Sequence, residues 1–183
     1  MLVTETKING LYIIEPKVFT DSRGYFFESF NLKYFREKGL NLNIIQDNQS
    51  KSQYGVIRGL HYQKSPHAQT KLLRVLEGKI FDVAVDMRKS SPDFGKWFGI
   101  ELSDENKKQI LIPKGFAHGF SVLSETAVVM YKCDEYYHPE SEGGIIYNDR
   151  DMNIDWQVEE GKEIISEKDT RLSLFKDSDY YFD

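Results

Sequence analysis

At 183 residues the chain is long enough for one domain with a substantial core, and 14% aromatic content, with 11 Tyr and 12 Phe, excludes a disorder-prone composition. A net charge of −5 argues against a broad nucleic-acid footprint, while a local cluster of Arg and Lys still suits a small phosphate ligand. Cys133 is the sole cysteine, so no intrachain disulfide forms, which fits a reducing compartment.

The start, Met1-Leu2-Val3-Thr4-Glu5, has no basic segment followed by a long apolar run, and no run elsewhere is long enough to span a bilayer. A cytoplasmic protein without membrane contact is expected. Val3–Lys17 predicts two short strands around a turn at Asn9-Gly10. Asp21-Ser22-Arg23-Gly24 predicts a turn leading into an aromatic-rich strand, Tyr25–Phe30. Asn31–Lys38 is the best helix: Asn31 caps it, Leu32 and Phe35 share a face, and Gly39 ends it. Ile44–Ser52 reads as a polar strand or loop, and Gly55–Gln63 as a strand. Lys71–Leu76, Lys79–Met87, Trp97–Leu102, Gln109–Ile112, Ala117–Leu123 and Thr126–Tyr136 follow as further strands, with turns at Glu77-Gly78, Ser90–Phe94, Asp104–Asn106 and Pro113-Lys114-Gly115. The tail from Gly143 is loop-rich, with a short strand at Ile145–Tyr147. No repeat, low-complexity run or linker interrupts residues 1–183. Many short strands and one good helix predict a single mainly β domain, an antiparallel sandwich or barrel.

The two-residue period of a strand decides which side chains share a face. In Thr126–Tyr136, Tyr131 shares the face of Ala127, Val129 and Cys133. In Lys71–Leu76, Lys71 shares the face of Leu73 and Val75. Both are expected to point inward, and an inward Lys is costly unless paired or bound to ligand. Arg58 and His61 have opposite parity. They reach one pocket only if Gly59 sits at a bulge or bend.

Four histidines occur, His61, His67, His118 and His138. A strand His is usually a satisfied structural residue, but His61 lies between Arg58 and Lys71, whose charges favour the neutral ring that a base requires. His118, in Pro113-Lys114-Gly115-Phe116-Ala117-His118-Gly119-Phe120, either bonds backbone at its turn or donates to substrate. Pro-x-Gly-x-x-His also resembles the second metal motif of the cupins. The first motif is incomplete here: Gln63 falls where a second His would stand, and Lys71 lies near the place of the carboxylate. That ligand count argues against a metal, and a metal-dependent cupin enzyme with an ion at His61 and His118 is the rival reading. Cys133 shows no basic partner and reads as a buried structural thiol. No Gly-rich phosphate loop or dinucleotide fingerprint is present. His61 as base, Tyr131 as acid and Lys71 as oxyanion partner suit proton abstraction beside a carbonyl. Arg23, Arg58 and Lys168 are candidates for phosphate contact, against a plain reading as solvated surface.

An ordered set of blocks carries a family resemblance. They are Asp21–Glu28, Gln46–Ser50, Gly55–Gln63 with Lys71, Asp82–Asp86, Ser90–Gly95, Pro113–Phe120, Tyr131-Lys132, Tyr136–Glu142 and Ser166–Asp169. Nearly end to end, the chain resembles dTDP-4-dehydrorhamnose 3,5-epimerases, the cupin-fold isomerases of dTDP-L-rhamnose synthesis, a supply route for glycans such as O-antigen. The resemblance implies a jelly-roll sandwich, a dTDP-4-keto-6-deoxysugar substrate and no metal or organic cofactor. It implies that His61 is the base, oriented by Asp169, with Tyr131 the acid on the opposite sugar face and Lys71 and His118 near the sugar. It matches Arg23, Glu28, Gln46, Asn48, Arg58, Glu142 and Lys168 to the nucleotide and diphosphate, Phe26 to substrate binding, and Tyr137 to the aromatic that stacks on thymine. It also implies a homodimer with exchanged N-terminal strands, Arg23 and Glu28 completing the partner's site. Relatives act at C3 only, C5 only or both. The presence of Tyr131 favours both.

Overall fold

The computed structural model describes residues 1–183. The chain enters through β1 (Leu2–Glu5) and β2 (Tyr12–Glu15), paired antiparallel across a turn in which Gly10 takes φ +86°. A hairpin follows, β3 (Phe19–Asp21) and β4 (Gly24–Phe26), and then α1 (Leu32–Glu37). Asn31 caps α1 by accepting the Tyr34 N–H at 3.3 Å, and Gly39 follows it at φ +78°. Such a cap stabilises a helix by about 1 kcal/mol, and glycine enters the left-handed region without a Cβ clash.

The body of the fold is β5 (Gln46–Gln53), β6 (Val56–Gln63), β7 (Lys71–Glu77), β8 (Lys79–Asp86), β9 (Trp97–Ser103), β10 (Gln109–Ile112), β11 (Phe116–Val122) and β12 (Thr126–Cys133). β13 (Glu142–Gly144) and β14 (Ile164–Ile165) complete it. One six-stranded sheet has the order β1-β2-β10-β7-β12-β5. The other has the order β13-β6-β11-β8-β9, with β14 added to β6. All these pairings are antiparallel except that of β14 with β6. The sheets face each other as the expected antiparallel sandwich.

Alternation builds the interior. Leu73 and Val75 of β7, Ile110 and Ile112 of β10, and Ala127 and Val129 of β12 meet Ile80 and Ala84 of β8 and Phe116, Phe120 and Val122 of β11. Lys71 and Tyr131 continue the inward rows of β7 and β12, as their parity predicts. The outer faces are covered too. Phe35 of α1 packs with Ile14, Leu72 and Leu111 on the first sheet. Met152, Trp156 and Phe182 from the C-terminal segment pack with Ile57, Leu60, Val83 and Val85 on the second. β8 is therefore buried on both faces, which explains its almost unbroken apolar run. Asp82 and Asp86 interrupt that run, both fully buried.

Several boundaries differ from expectation for one reason, the reach of a partner strand. The aromatic strand expected to Phe30 stops at Phe26, because β3 and β4 pair only with each other. The strand expected to Tyr136 stops at Cys133, where its neighbours end at Gln46 and Lys71. The polar stretch before Tyr54 forms β5, an edge strand zipped along all of β12. The late strand expected at Ile145–Tyr147 lies at Glu142–Gly144, where β6 supplies the partner; beyond it Ile145 exchanges backbone hydrogen bonds with Leu60 and makes an isolated bridge to Ser173.

Candidate active site

Gly59 resolves the parity conflict in β6. Its φ is +123°, and the β6–β11 register pairs His61 with His118 but Arg58 with Phe120. Three steps on β6 thus match two on β11, the count of a bulge. The extra residue turns Arg58 and His61 into the same cleft, whose walls include both. A Cβ on Gly59 would stand 2.6 Å from the Gly119 Cα, so the close strand approach requires glycine on both sides.

The cleft has two lobes. One, of about 450 Å³, is walled by Ser50, Arg58, His61, Lys71, His118, Tyr131, Lys168 and Asp169 among others. The second, of about 420 Å³, is walled by Gln46, Asn48, Gln63, Gln69, Tyr137 and Glu142, and shares His61, Lys71 and Tyr131 with the first. Those three side chains stand at the junction of the lobes. His61 comes from one sheet, Lys71 and Tyr131 from the other, so a ligand at the junction lies between His61 and Tyr131.

His61 Nε2 lies 2.7 Å from Oδ1 of Asp169, which is 3% exposed. Burial pushes the Asp169 carboxyl up, but the hydrogen bond and charge of His61 and the Gly59 N–H outweigh it and hold it below its ordinary value. An ionised Asp169 only accepts, so in the neutral ring Nε2 carries the proton and Nδ1 keeps a lone pair. That is the tautomer of a poised base. Asp169 follows Lys168 on a short 3₁₀ turn, and its backbone N–H donates to Ser166 Oγ at 3.1 Å.

Lys71 is part-exposed at the cleft. Burial pulls its ammonium below the ordinary value, against the opposing pull of Cys133, Asp82 and Glu142. A cation so poorly solvated gains much from negative charge that develops beside it. Burial pushes the Tyr131 phenol up, Cys133 adding to the rise and Arg58 opposing it, so Tyr131 holds its proton. Cys133 does have a basic neighbour, Lys71, invisible in the sequence spacing. Burial nevertheless dominates and pushes the thiol up to about 11, which leaves it inert at neutral pH.

The His118 ring pairs not with backbone at its turn but with Asp82, Nε2 to Oδ2 at 2.9 Å. The other oxygen, Oδ1 of Asp82, is buried without a partner. Arg58 Nε donates to Ser52 Oγ at 3.0 Å. Across the second lobe, Glu142 accepts from Tyr137 Oη at 2.8 Å and from Lys168 Nζ at 2.5 Å. Burial raises the Glu142 carboxyl, but Lys168 and Tyr137 outweigh that and hold it low. Gln46 accepts the Tyr137 N–H at 3.1 Å and donates to Asn48 at 3.0 Å.

Eleven of the residues named from the sequence thus meet at one cleft: His61, Lys71, Tyr131, Asp169, Arg58, Lys168, His118, Gln46, Asn48, Tyr137 and Glu142. Arg23, Phe26 and Glu28 do not. Arg23 sits on the tip of the β3–β4 hairpin, its side chain 88% exposed and paired with Asp21. Phe26 is 67% exposed on the same hairpin, and Glu28 accepts from the Asn31 amide at 3.1 Å. Sequence reasoning missed Asp82, Gln63 and Gln69. The signal for Asp82 was present, an acid inside Ile80–Val85. A group of three His, Cys, Asp or Glu donors within 4.8 Å of one another forms at His67, Glu135 and His138, outside this cleft.

Comparison with known proteins supplies an independent line. The family model for dTDP-4-dehydrorhamnose 3,5-epimerase matches residues 5–177. A protein of that name from Shigella flexneri is 52% identical over 182 residues, 99% of each chain. The crystal structure of the enzyme from Elizabethkingia anophelis matches with TM-score 0.94 at 55% identity, covering 98% of this chain and 99% of that one. The Legionella pneumophila dTDP-6-deoxy-D-glucose-3,5-epimerase, solved in complex with dTDP-4-keto-L-rhamnose, matches with TM-score 0.92 at 52% identity, covering 96% and 93%.

Proposed function

The chain belongs to the dTDP-4-dehydrorhamnose 3,5-epimerase family, and from that premise we propose the following chemistry for its cleft. The enzyme is an isomerase of one domain, residues 1–183, that converts dTDP-4-dehydro-6-deoxy-D-glucose to dTDP-4-dehydro-β-L-rhamnose. The sugar sits where the lobes meet. Nδ1 of His61 removes the hydrogen at C5 and then at C3, each acidified by the C4 ketone. Asp169 holds the ring and stabilises the imidazolium as it forms. Lys71 stabilises the enolate oxygen, and Tyr131, or solvent, returns a proton on the opposite face. The observation that carries this reading is His61 on one sheet, paired with Asp169, facing a protonated Tyr131 on the other sheet, with Lys71 lining the same junction of the lobes. No step calls on a metal or organic cofactor.

Arg58, Lys168, Gln46, Asn48, Tyr137, Glu142 and His118 hold the rest of the substrate. The Lys168–Glu142 ion pair opens so that Lys168 meets a phosphate oxygen. Tyr137, exposed at the rim, stacks on the base. The protein acts as a homodimer. The β3–β4 hairpin bonds to no other strand of its own chain and exposes Phe19, Tyr25 and Phe26, which supports exchange of this arm so that Arg23, Phe26 and Glu28 complete the partner's cleft. No helix is long and apolar enough to cross a membrane, and the expected cytoplasmic location stands with this reading.

Proton NMR in D₂O with the 4-keto sugar nucleotide tests it. Deuterium incorporation at both C3 and C5 with inversion of the ring is expected. Exchange at one carbon would reduce the enzyme to a mono-epimerase, and no exchange would sink the enzymatic assignment.

A further inference from the structure

The rim of the second lobe carries a cluster for which the epimerisation has no use. Residues 64–70 join β6 to β7, and residues 134–138 follow β12. Between these loops His67, Glu135 and His138 bring donor atoms within 4.8 Å of one another. All three residues are half-buried, and none walls the cleft. Two imidazoles and a carboxylate suit late first-row divalent cations, and zinc in particular takes three such ligands with water in the fourth position.

The surroundings are those of a ligand site. Oε1 of Glu140 lies 3.0 Å from Nδ1 of His138. A carboxylate behind an imidazole fixes its tautomer and leaves Nε2 for a metal. The backbone beneath the ligands is clamped by Gln63, which is 4% exposed. Its Nε2 donates to the carbonyls of His67 at 2.6 Å and Tyr136 at 3.0 Å, and its Oε1 accepts the His138 N–H at 2.8 Å. Gln69 donates to the Glu135 carbonyl at 2.8 Å. With both loops already ordered, an ion has little backbone entropy to remove. The two imidazoles lie face to face, centroids 3.6 Å apart and planes 17° apart. Imidazole lone pairs lie in the ring planes, and those planes are nearly parallel here, so ligation needs one ring to turn about its side-chain bonds toward a shared ion.

We propose that His67, Glu135 and His138 bind a divalent transition-metal ion, Zn²⁺ by preference, and that the ion staples together the two loops carrying Gln69 and Tyr137. The role is structural, since both loops supply wall to the second lobe. Calorimetric titration of ZnCl₂ into chelator-treated protein tests the site. One Zn²⁺ per chain is expected, with a rise in Tm. In the variant H67A/H138A the affinity falls about 100-fold or more and the rise in Tm disappears. E140Q, altered at an exposed side chain and so safe for folding, weakens binding about 10- to 100-fold through loss of the outer carboxylate. Wild-type affinity retained in both variants would place any bound zinc elsewhere, for example at His61 and His118, and would overturn the proposal. So would the absence of zinc binding by the wild type.

Discussion

Replacing Asp169 by Asn changes one atom and confronts the dyad with a choice it cannot satisfy. The two carboxylate oxygens serve two donors, His61 Nε2 at 2.7 Å and the Gly59 N–H at 3.4 Å. An amide has only one oxygen. If that oxygen faces Gly59, the amide N–H₂ faces Nε2 and forces the proton onto Nδ1, which then is no base. If it faces His61, two N–H groups confront each other in a buried site, at a cost of about 1–3 kcal/mol. A positioned base is worth ~10²–10⁴-fold, and an Asp-to-Asn change behind the histidine of a serine protease costs about 10⁴ in kcat through the same tautomer error. The expected loss for D169N is therefore ~10²–10⁴ in the rate of C5 deuterium wash-in, read by NMR under single-turnover conditions. The pH dependence of stability adds a second readout. The native Asp169 carboxyl is held below its ordinary 3.8, so its stabilisation is full above that value and is lost as pH falls through the native value. Urea unfolding of D169N lacks that component of the acid-side decline. Wash-in within about tenfold of wild type would refute the assignment of Asp169 as the residue that sets the base.

Y131F keeps the ring against the β12 row but removes the proton donor; deuterium wash-in at C5 should persist while net inversion falls ~10²-fold or more, and an unchanged product ratio would rule out Tyr131 as the acid. Lys71 has a native value below the ordinary 10.5, so the unfolded chain binds more protons in that window and wild-type stability should rise as pH climbs toward 10.5. K71M should flatten this rise in urea midpoints and abolish turnover, and an identical pH slope in both proteins would contradict a Lys71 ammonium held below its ordinary value. Mixing inactive H61N with inactive R23A should restore activity, because one cleft of the mixed dimer then receives an intact His61 and an intact Arg23; no recovery in verified mixed dimers would place Arg23 outside the partner's cleft. G59A sets a Cβ against the Gly119 backbone at a left-handed φ, so urea melts should show a loss of at least ~1 kcal/mol together with lost wash-in, and wild-type behaviour would mean the bulge tolerates a side chain.

The inward rows were legible in the sequence because parity is a local rule. Tyr131 beside Val129, and Lys71 beside Leu73, need no knowledge of the partner strand. The capped helix at Asn31 was legible for the same reason. Strand ends were not, because they depend on where another strand stops, as at Cys133 opposite Gln46. The pairing of Asp169 with His61 was also beyond local reasoning. It spans 108 positions and depends on the C-terminal segment folding back over β6, where the two-residue β14 carries almost no pattern of its own. The family resemblance supplied that pair, and the geometry gives it a physical reason. The hairpin residues Arg23, Phe26 and Glu28 mark the opposite limit, since a single chain leaves them away from its own cleft.

The bulge at Gly59 explains why the same sandwich can hold a proton-transfer site where its sequence motifs hint at a metal. A regular β6 would send Arg58 and His61 to opposite faces, one inside the sandwich and one against the C-terminal segment. The positive φ of Gly59 admits the extra residue and returns both to the interior. His61 is then oriented by a carboxylate rather than by an ion, and the neighbouring inward position on the facing sheet holds the Lys71 ammonium. Nothing prevents a cation from orienting imidazoles elsewhere in the molecule, and His67 with His138 is where the donors gather. Inside the cleft the charge that must be managed is negative and transient. A fixed ammonium in a poorly solvated position suits such a charge without leaving the protein, and on the proposed mechanism the half-buried, protonated Tyr131 stands across the cleft from His61 to return the proton.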